Sequence, residues 1–312
     1  ANPVYLAYCE ACGMDAPPAK WHQFPALPVN AFRHQNVTSH SNANYAYSFR
    51  TSGTTSEQTG RHMMLKPDFY SLSLRQSFAK NFPDISRHHW VSFIPRLDQC
   101  SHSSLAFMIS DLQGYIDPPC IDWLCDGDFN VDWKACLKVL EEKSKSCIPT
   151  AIFTTSFVWA DLIDYLEKET LTLPLHEDSV LFETGGYKGR HVRTREEIIH
   201  RLEKIFHITP EQIYYEYGMT ELSSQCYAKA TDESYIAPPW MKVQIIDPST
   251  NKRALPGQMG LLHFYDLANV YSCAAIATQD CGYYTKDTGH FILSGRTPSA
   301  PARGCSLAYK NN

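Results

Sequence analysis

The stretch Thr51 to Gly60, TSGTTSEQTG, decides how this chain is read, and a strand is expected just before it at Tyr45 to Arg50. Serines, threonines and two glycines after a strand make a polar loop whose hydroxyls and backbone N–H groups can converge on phosphate oxygens. Glycine lets the backbone come close to a ligand, and successive N–H groups in a turn form a nest of partial positive charge. The pattern GxxxxGK[ST] is absent: the spacing from Gly53 to the next glycine is too long and no lysine follows it. In isolation the stretch reads equally well as a Ser/Thr-rich surface loop.

Working outward, 312 residues with 44% hydrophobic and 20% charged content are enough for a substantial core, in about two domains or one large α/β domain with an appendage. A formal charge of −5 leaves no basic footprint, so nucleic acid is not an expected partner. No run approaches the ~18 apolar residues of a membrane span, and ANPVYLAYCEACG lacks the features of a leader, which makes a cytoplasmic location the expectation. Eleven cysteines at irregular spacing read as reduced, mostly buried thiols. Cys9 and Cys12 form one CxxC, half of a zinc site with no second half in the sequence.

The first forty residues, rich in proline, are expected to run extended over a core. Strands are expected at Trp90 to Ile94, Thr150 to Thr155, Ser179 to Glu183 and Ile213 to Tyr217. Between them fall helices: one over His102 to Leu112, one capped by Asp132, one marked by Val158, Leu162, Ile163 and Leu166, and one opened by the capping box Thr194 and Glu197. This alternation implies βαβ units with ligands outside the carboxyl ends of the strands. From about Pro238 the pattern becomes β-rich, with Met241 to Asp247 alternating and Gly260 to Tyr265 following. The expected division is therefore 1–237, an α/β region, and 238–312, a β-rich subdomain with a C-terminal arm.

TSGTTSEQTG, ETGG at Glu183 to Gly186, YEYGMTE at Tyr215 to Glu221, TQD at Thr278 to Asp280 and GR at Gly295 and Arg296 occur in the order found in adenylate-forming enzymes. With DLANVYSCAAIATQDCGYY, FILSGR and RGCSL at Arg303 to Leu307, the chain resembles the acyl-protein synthetase branch of that superfamily. The resemblance implies an α/β fold, the large N-terminal domain of these enzymes with mainly parallel sheets flanked by helices and a smaller β-rich subdomain, without their C-terminal lid domain. It implies a ligase that uses ATP and Mg²⁺ to convert a fatty or other hydrophobic carboxylic acid to an acyl-adenylate.

On that resemblance Thr51, Ser52, Gly53, Thr54 and Thr55 would hold the β- and γ-phosphates, and Thr220 would reach the α-phosphate. Glu221 would ligate Mg²⁺. Gly185, Gly186, Tyr217 and Gly218 would border the adenine, Asp280 would accept the ribose hydroxyls, and Arg296 would lie near ribose or phosphate. Cys305 would take the acyl group as a thioester and hand it to a partner protein, a reductase or acyltransferase. The sequence departs from the family pattern where the phosphate loop lacks its usual lysine, leaving Thr59, Arg61 and Lys66 nearby, and where TPSA follows Arg296 without an acidic residue. Two other readings stay open: an adenylating ligase passing its acyl group to coenzyme A, an amine or a carrier protein, and a silent nucleotide-binding scaffold.

Overall fold

The computed structural model describes residues 2–40, 43–51, 59–185, 193–285 and 289–297. Helix α1 (Pro3–Ala11) comes first, followed by strand β1 (Leu27–Pro28) and the short helix α2 (Ala31–His34). The expectation of an extended opening is corrected by α1, and its cause is local. Asn2 Oδ1 accepts from the amides of Val4 and Tyr5 at 3.0 and 3.2 Å, while Pro3 brings a preset φ to the first helical turn.

Strands β2 (Tyr47–Arg50) and β3 (Arg61–Met64) form an antiparallel hairpin that stands as a sheet of its own, with Arg50 opposite Arg61. Helix α3 (Asp68–Asn81) follows. Its apolar spacing gives little warning of it, because Ser71, Ser73 and Ser77 share its buried face with Tyr70, Leu74 and Phe78.

The expected alternation then appears as β4 (His89–Ser92), α4 (Ser104–Ile116), β5 (Ile121–Trp123), α5 (Trp133–Ser144), β6 (Thr150–Thr155), α6 (Ser156–Lys168), β7 (Val180–Thr184), α7 (Arg195–Phe206) and β8 (Ile213–Tyr217). The five strands run parallel in the order β5-β4-β6-β7-β8. Every residue of β6 is buried, as expected for a parallel strand covered on both faces. Successive side chains divide between those faces. Trp90, Phe153 and Phe182 belong to one apolar cluster, where the rings of Phe153 and Phe182 stack 4.7 Å apart. Val91, Ile152 and Leu181 belong to the other, with Trp159 and Leu162 of α6 and Leu202 of α7. Each such buried side chain stabilises the fold by about 1.5–3 kcal/mol before conformational entropy is counted. The helix starts follow sequence signals: Asp132 accepts from the amides of Lys134 and Ala135 at 3.1 Å, and Thr194 and Glu197 form the reciprocal capping box.

Beyond β8 come β9 (Cys226–Lys229), β10 (Tyr235–Ile236), β11 (Met241–Asp247), β12 (Lys252–Arg253), β13 (Gly260–Asp266), β14 (Ala275–Tyr284) and β15 (His290–Arg296). They continue the same sheet, now antiparallel, in the order β8-β9-β10-β15-β14-β13-β11-β12. Residues Ala275 to Ala277 of β14 face β13 on one side, and on the other β1 pairs in parallel with Ile276 and Ala277. No helix among the described residues is long and apolar enough to cross a membrane.

Candidate functional site

The β2–β3 hairpin brings the ends of TSGTTSEQTG together. Thr51 N–H donates to Gly60 O at 3.0 Å, and Gly60 N–H donates to Thr51 Oγ1 at 2.9 Å. Thr51 is thus buried and fixed at the base of the loop. Ser52, Gly53, Thr54 and Thr55 lie outside the described residues. The hairpin is set against the parallel sheet by Arg50 N–H, which donates to His102 O at 2.9 Å, and by Phe49, buried among Tyr47, Tyr70 and Phe107.

Opposite the hairpin lie the carboxyl ends of β6, β7 and β8. A cleft of about 350 Å³ opens there, and its walls include Thr51, Gly185, Gly218 and Thr220 from the expected set, with Thr155, Thr184 and Glu216 beside them. Gly185 has φ 76°, a left-handed conformation suited to glycine. The Ser156 hydroxyl lies 2.9 Å from Gly185 O and 2.8 Å from Glu183 Oε1, tying this turn to the start of α6. Gly186 lies outside the described residues. Gly218 is needed for a different reason: a Cβ there would meet Glu216 Oε1 at 2.4 Å.

Thr220 and Glu221 are held from both sides. His62 of β3 donates through Nδ1 to Thr220 O at 2.7 Å, so its Nε2 is the acceptor for the Ser272 hydroxyl at 2.8 Å. Burial pushes the His62 imidazole down to about 4, which keeps it neutral. Asn269 Nδ2 donates to Glu221 O at 2.7 Å, and Asp266 accepts from Ser223 N–H at 2.9 Å and from the Ser224 hydroxyl at 2.7 Å. Burial raises the Asp266 carboxyl and these hydrogen bonds oppose the rise. Glu221 itself is buried and is not part of the cleft wall.

A second group gathers Tyr217, Asp280 and Arg296. The Tyr217 phenol donates to Asp280 Oδ2 at 2.8 Å, and Arg296 Nε lies 2.9 Å from Asp280 Oδ1. Tyr217 also stacks on Phe264, with ring centres 5.3 Å apart. None of these three residues is in the cleft wall. The expected site residues therefore fall into a cleft set, a buried Glu221 and a linked trio, while Cys305 lies outside the described residues.

Sequence reasoning missed His62, Asp266 and Glu216. Glu216 lies inside YEYGMTE and Asp266 opens DLANVYSCAAIATQDCGYY without a role attached to either, while His62 stands two residues beyond Gly60. Of the CxxC pair, Cys9 is buried and Cys12 exposed, and no group of three or more potential metal ligands occurs among the described residues.

Comparison with known proteins places this arrangement. The family model for acyl-protein synthetases of the LuxE type matches residues 105–312. The long-chain-fatty-acid–luciferin-component ligase of Vibrio harveyi is 21% identical over 320 residues, spanning 98% of this chain and 82% of that protein. Among solved structures, a 2-hydroxyisobutyryl-CoA ligase in its postadenylation state superposes with a TM-score of 0.68 at 13% identity, over 98% of this chain and 66% of the other. ATP-bound MatB from Rhodopseudomonas palustris gives a TM-score of 0.58 at 14% identity, over 84% of this chain. The chain spans about half the length of MatB, 49%. At such identities the structural likeness establishes the fold, that of the adenylate-forming ligases. With two thirds of its length matched by the family model, the chain belongs to the LuxE family of acyl-protein synthetases, a branch of the acyl-adenylate-forming ligases.

Proposed function

We propose that this protein activates a fatty or other hydrophobic carboxylic acid with ATP and carries the acyl group on Cys305 for delivery to a partner protein. The observation that supports the first step is the convergence of Thr51, Gly185, Gly218 and Thr220 on one cleft at the carboxyl ends of β6, β7 and β8. A carboxylate oxygen of the acid attacks the α-phosphorus of ATP. The new O–P bond forms as the bond to the bridging oxygen breaks, and pyrophosphate leaves.

In this reading Thr51 anchors a loop, with Ser52, Gly53, Thr54 and Thr55, that cradles the β- and γ-phosphates. Thr220 meets the α-phosphate, Gly185, Gly186, Tyr217 and Gly218 border the adenine, and Asp280 with Arg296 holds the ribose side. A hard cation accompanying the triphosphate needs few protein carboxylates, and the single Glu221 beside Thr220, with no acidic cluster among the described residues, fits a Mg²⁺ that arrives with the nucleotide better than a resident metal. Bound there, the ion would neutralise phosphate charge.

In the second step the Cys305 thiolate attacks the acyl carbon, the C–S bond forms, AMP leaves and the thiol proton passes to solvent. The division proposed with it is 1–237 for nucleotide and acyl binding and 238–312 for the β-rich part and the arm bearing Cys305. A reductase or acyltransferase is the proposed acceptor.

Acid-dependent exchange of labelled pyrophosphate into ATP tests the first step, and its absence with every acid tried would leave only a nucleotide-binding scaffold. Labelled acyl groups retained on denatured protein test the second. Label that survives Cys305→Ser refutes self-acylation, and acyl products formed on coenzyme A without protein labelling favour the ligase alternative.

A further inference from the structure

Glu216, the penultimate residue of β8, lines the cleft together with Gly218, which directly follows that strand. Its Oε2 accepts from the hydroxyl of Thr184, its neighbour in register on β7. Its Oε1 lies over the α-carbon of Gly218, whose missing Cβ leaves the room, and makes no hydrogen bond among the described residues. No cation among the described residues compensates it: burial raises this carboxyl to about 7, and the Thr184 hydroxyl pulls the other way. The groups that feel its charge, Tyr70, Cys226, Tyr227 and Tyr235, are themselves pushed up by burial and stay neutral at ordinary pH. Half-buried in the cleft wall, this carboxyl keeps one oxygen open to a donor on whatever fills the cleft. Here it borders the space that substrate fills, and in its ionised form it is repelled by a carboxylate or a triphosphate bound beside it. A donor on the substrate removes the conflict.

We propose that the open oxygen of Glu216 receives a hydrogen-bond donor, hydroxyl or ammonium, carried by the carboxylic acid substrate, so that the protein selects a donor-substituted acid over the plain acid of equal length. This inference rests on the reading of the cleft as the adenylation site. A pocket built to bond a substrate hydroxyl discriminates strongly against the analogue without one, because its own polar atom is then left unpaired.

Calorimetric titration of the full chain with decanoic, β-hydroxydecanoic and β-aminodecanoic acids, in the presence of a non-hydrolysable ATP analogue, tests it by binding alone. At least one donor-bearing acid is expected to bind about ten- to hundredfold more tightly than decanoic acid, the range for a hydrogen bond to a charged group. Glu216→Ala should reduce that ratio to about one, with the variant's fold checked by its melting curve. Glu216→Gln keeps an acceptor without the charge. It should preserve preference for the hydroxy acid if hydroxyl is the donor and lose preference for the amino acid if ammonium is. Equal binding of the three acids by the wild type, tightest binding of decanoic acid, or a ratio unchanged in Glu216→Ala overturns the proposal. Pyrophosphate exchange with ATP, run on parallel samples without the analogue, separates the two readings: a preference in binding without exchange for any of the acids keeps Glu216 as a binding determinant and counts against adenylation.

Discussion

Asp280 and Arg296 face one another in register across β14 and β15, with Arg296 Nε 2.9 Å from Asp280 Oδ1. Both side chains are largely enclosed, at 14% and 8% exposure. The second carboxylate oxygen takes the Tyr217 phenol at 2.8 Å, so one side chain links β8, β14 and β15. Removing one member of a fully buried pair costs about 3–5 kcal/mol, and the cost is less here because Arg296 keeps the Gln279 Oε1 acceptor at 3.0 Å. Asp280→Ala is therefore expected to lower stability by about 2–3 kcal/mol in urea unfolding. It should also weaken ATP binding by calorimetry. Asp280→Asn, which keeps an acceptor, should recover much of the stability and less of the affinity. A fully stable Asp280→Ala would show that the pair does not brace this junction.

Thr51 closes the base of the loop through its hydroxyl, to which Gly60 N–H donates at 2.9 Å. Thr51→Val preserves the shape and removes this acceptor, leaving a buried amide without its partner. The expected loss is about 1–3 kcal/mol of stability. The apparent KM for ATP in pyrophosphate exchange should rise by more than that for the acid. Equal changes in both would mean that Thr51 serves the fold generally and not the phosphates.

Gly218→Ala puts a methyl group 2.4 Å from Glu216 Oε1, well inside contact distance. The carboxyl must swing away, and overpacking of this kind costs about 1–3 kcal/mol. Combining Gly218→Ala with Glu216→Ala should be less destabilising than the sum of the two, because the clash partner is gone. Simple additivity in a double-mutant cycle would contradict the geometry.

Burial pushes the His62 imidazole from its ordinary value of 6.5 down to about 4. Between these values the unfolded chain binds the proton and the folded one does not, so the contribution of neutral His62 is present above about 6.5 and is lost as pH falls toward 4. His62→Gln retains a donor for Thr220 O and an acceptor for Ser272 but cannot titrate. From pH 7 down to pH 4, wild type is expected to lose roughly 3 kcal/mol more stability than His62→Gln. Since Glu216 and Asp266, raised by burial, act with the opposite sign, the comparison must be between variants and not on the wild type alone. Parallel stability curves for the two proteins would refute a buried neutral histidine.

Much of the fold was legible in local sequence. Thr150–Thr155, Ile213–Tyr217 and Met241–Asp247 are strands with the bounds expected, because β-branched and aromatic runs of that length have few other uses. The Thr194 and Glu197 box and the Asp132 cap were equally plain, since every atom they involve lies within four residues. Helix α3 was not, because its serines hide the apolar period: the Ser73 hydroxyl hydrogen-bonds Ser224 from 151 residues away. His62 likewise answers to Thr220 and Ser272, 158 and 210 residues on. Such partners leave no pattern in either local stretch. The cleft residues Thr51, Gly185, Gly218 and Thr220 were nameable only because their motifs occur in a known order.

One consequence concerns the order of events during synthesis. Strand β1 has a proline and only two residues, and its partners Ile276 and Ala277 are made far later than it is. Asn2 Nδ2, which donates to Ser272 O at 2.9 Å, spans 270 residues. At about 5–20 residues per second, the ribosome needs roughly 12–50 seconds after making β1 to supply its partner. Through that interval the apolar side chains Leu27, Val29 and Phe32, buried in the finished core, have no completed surface to meet. This segment is thus made well before it can dock, and chaperone dependence of this protein should concentrate on residues 27–32.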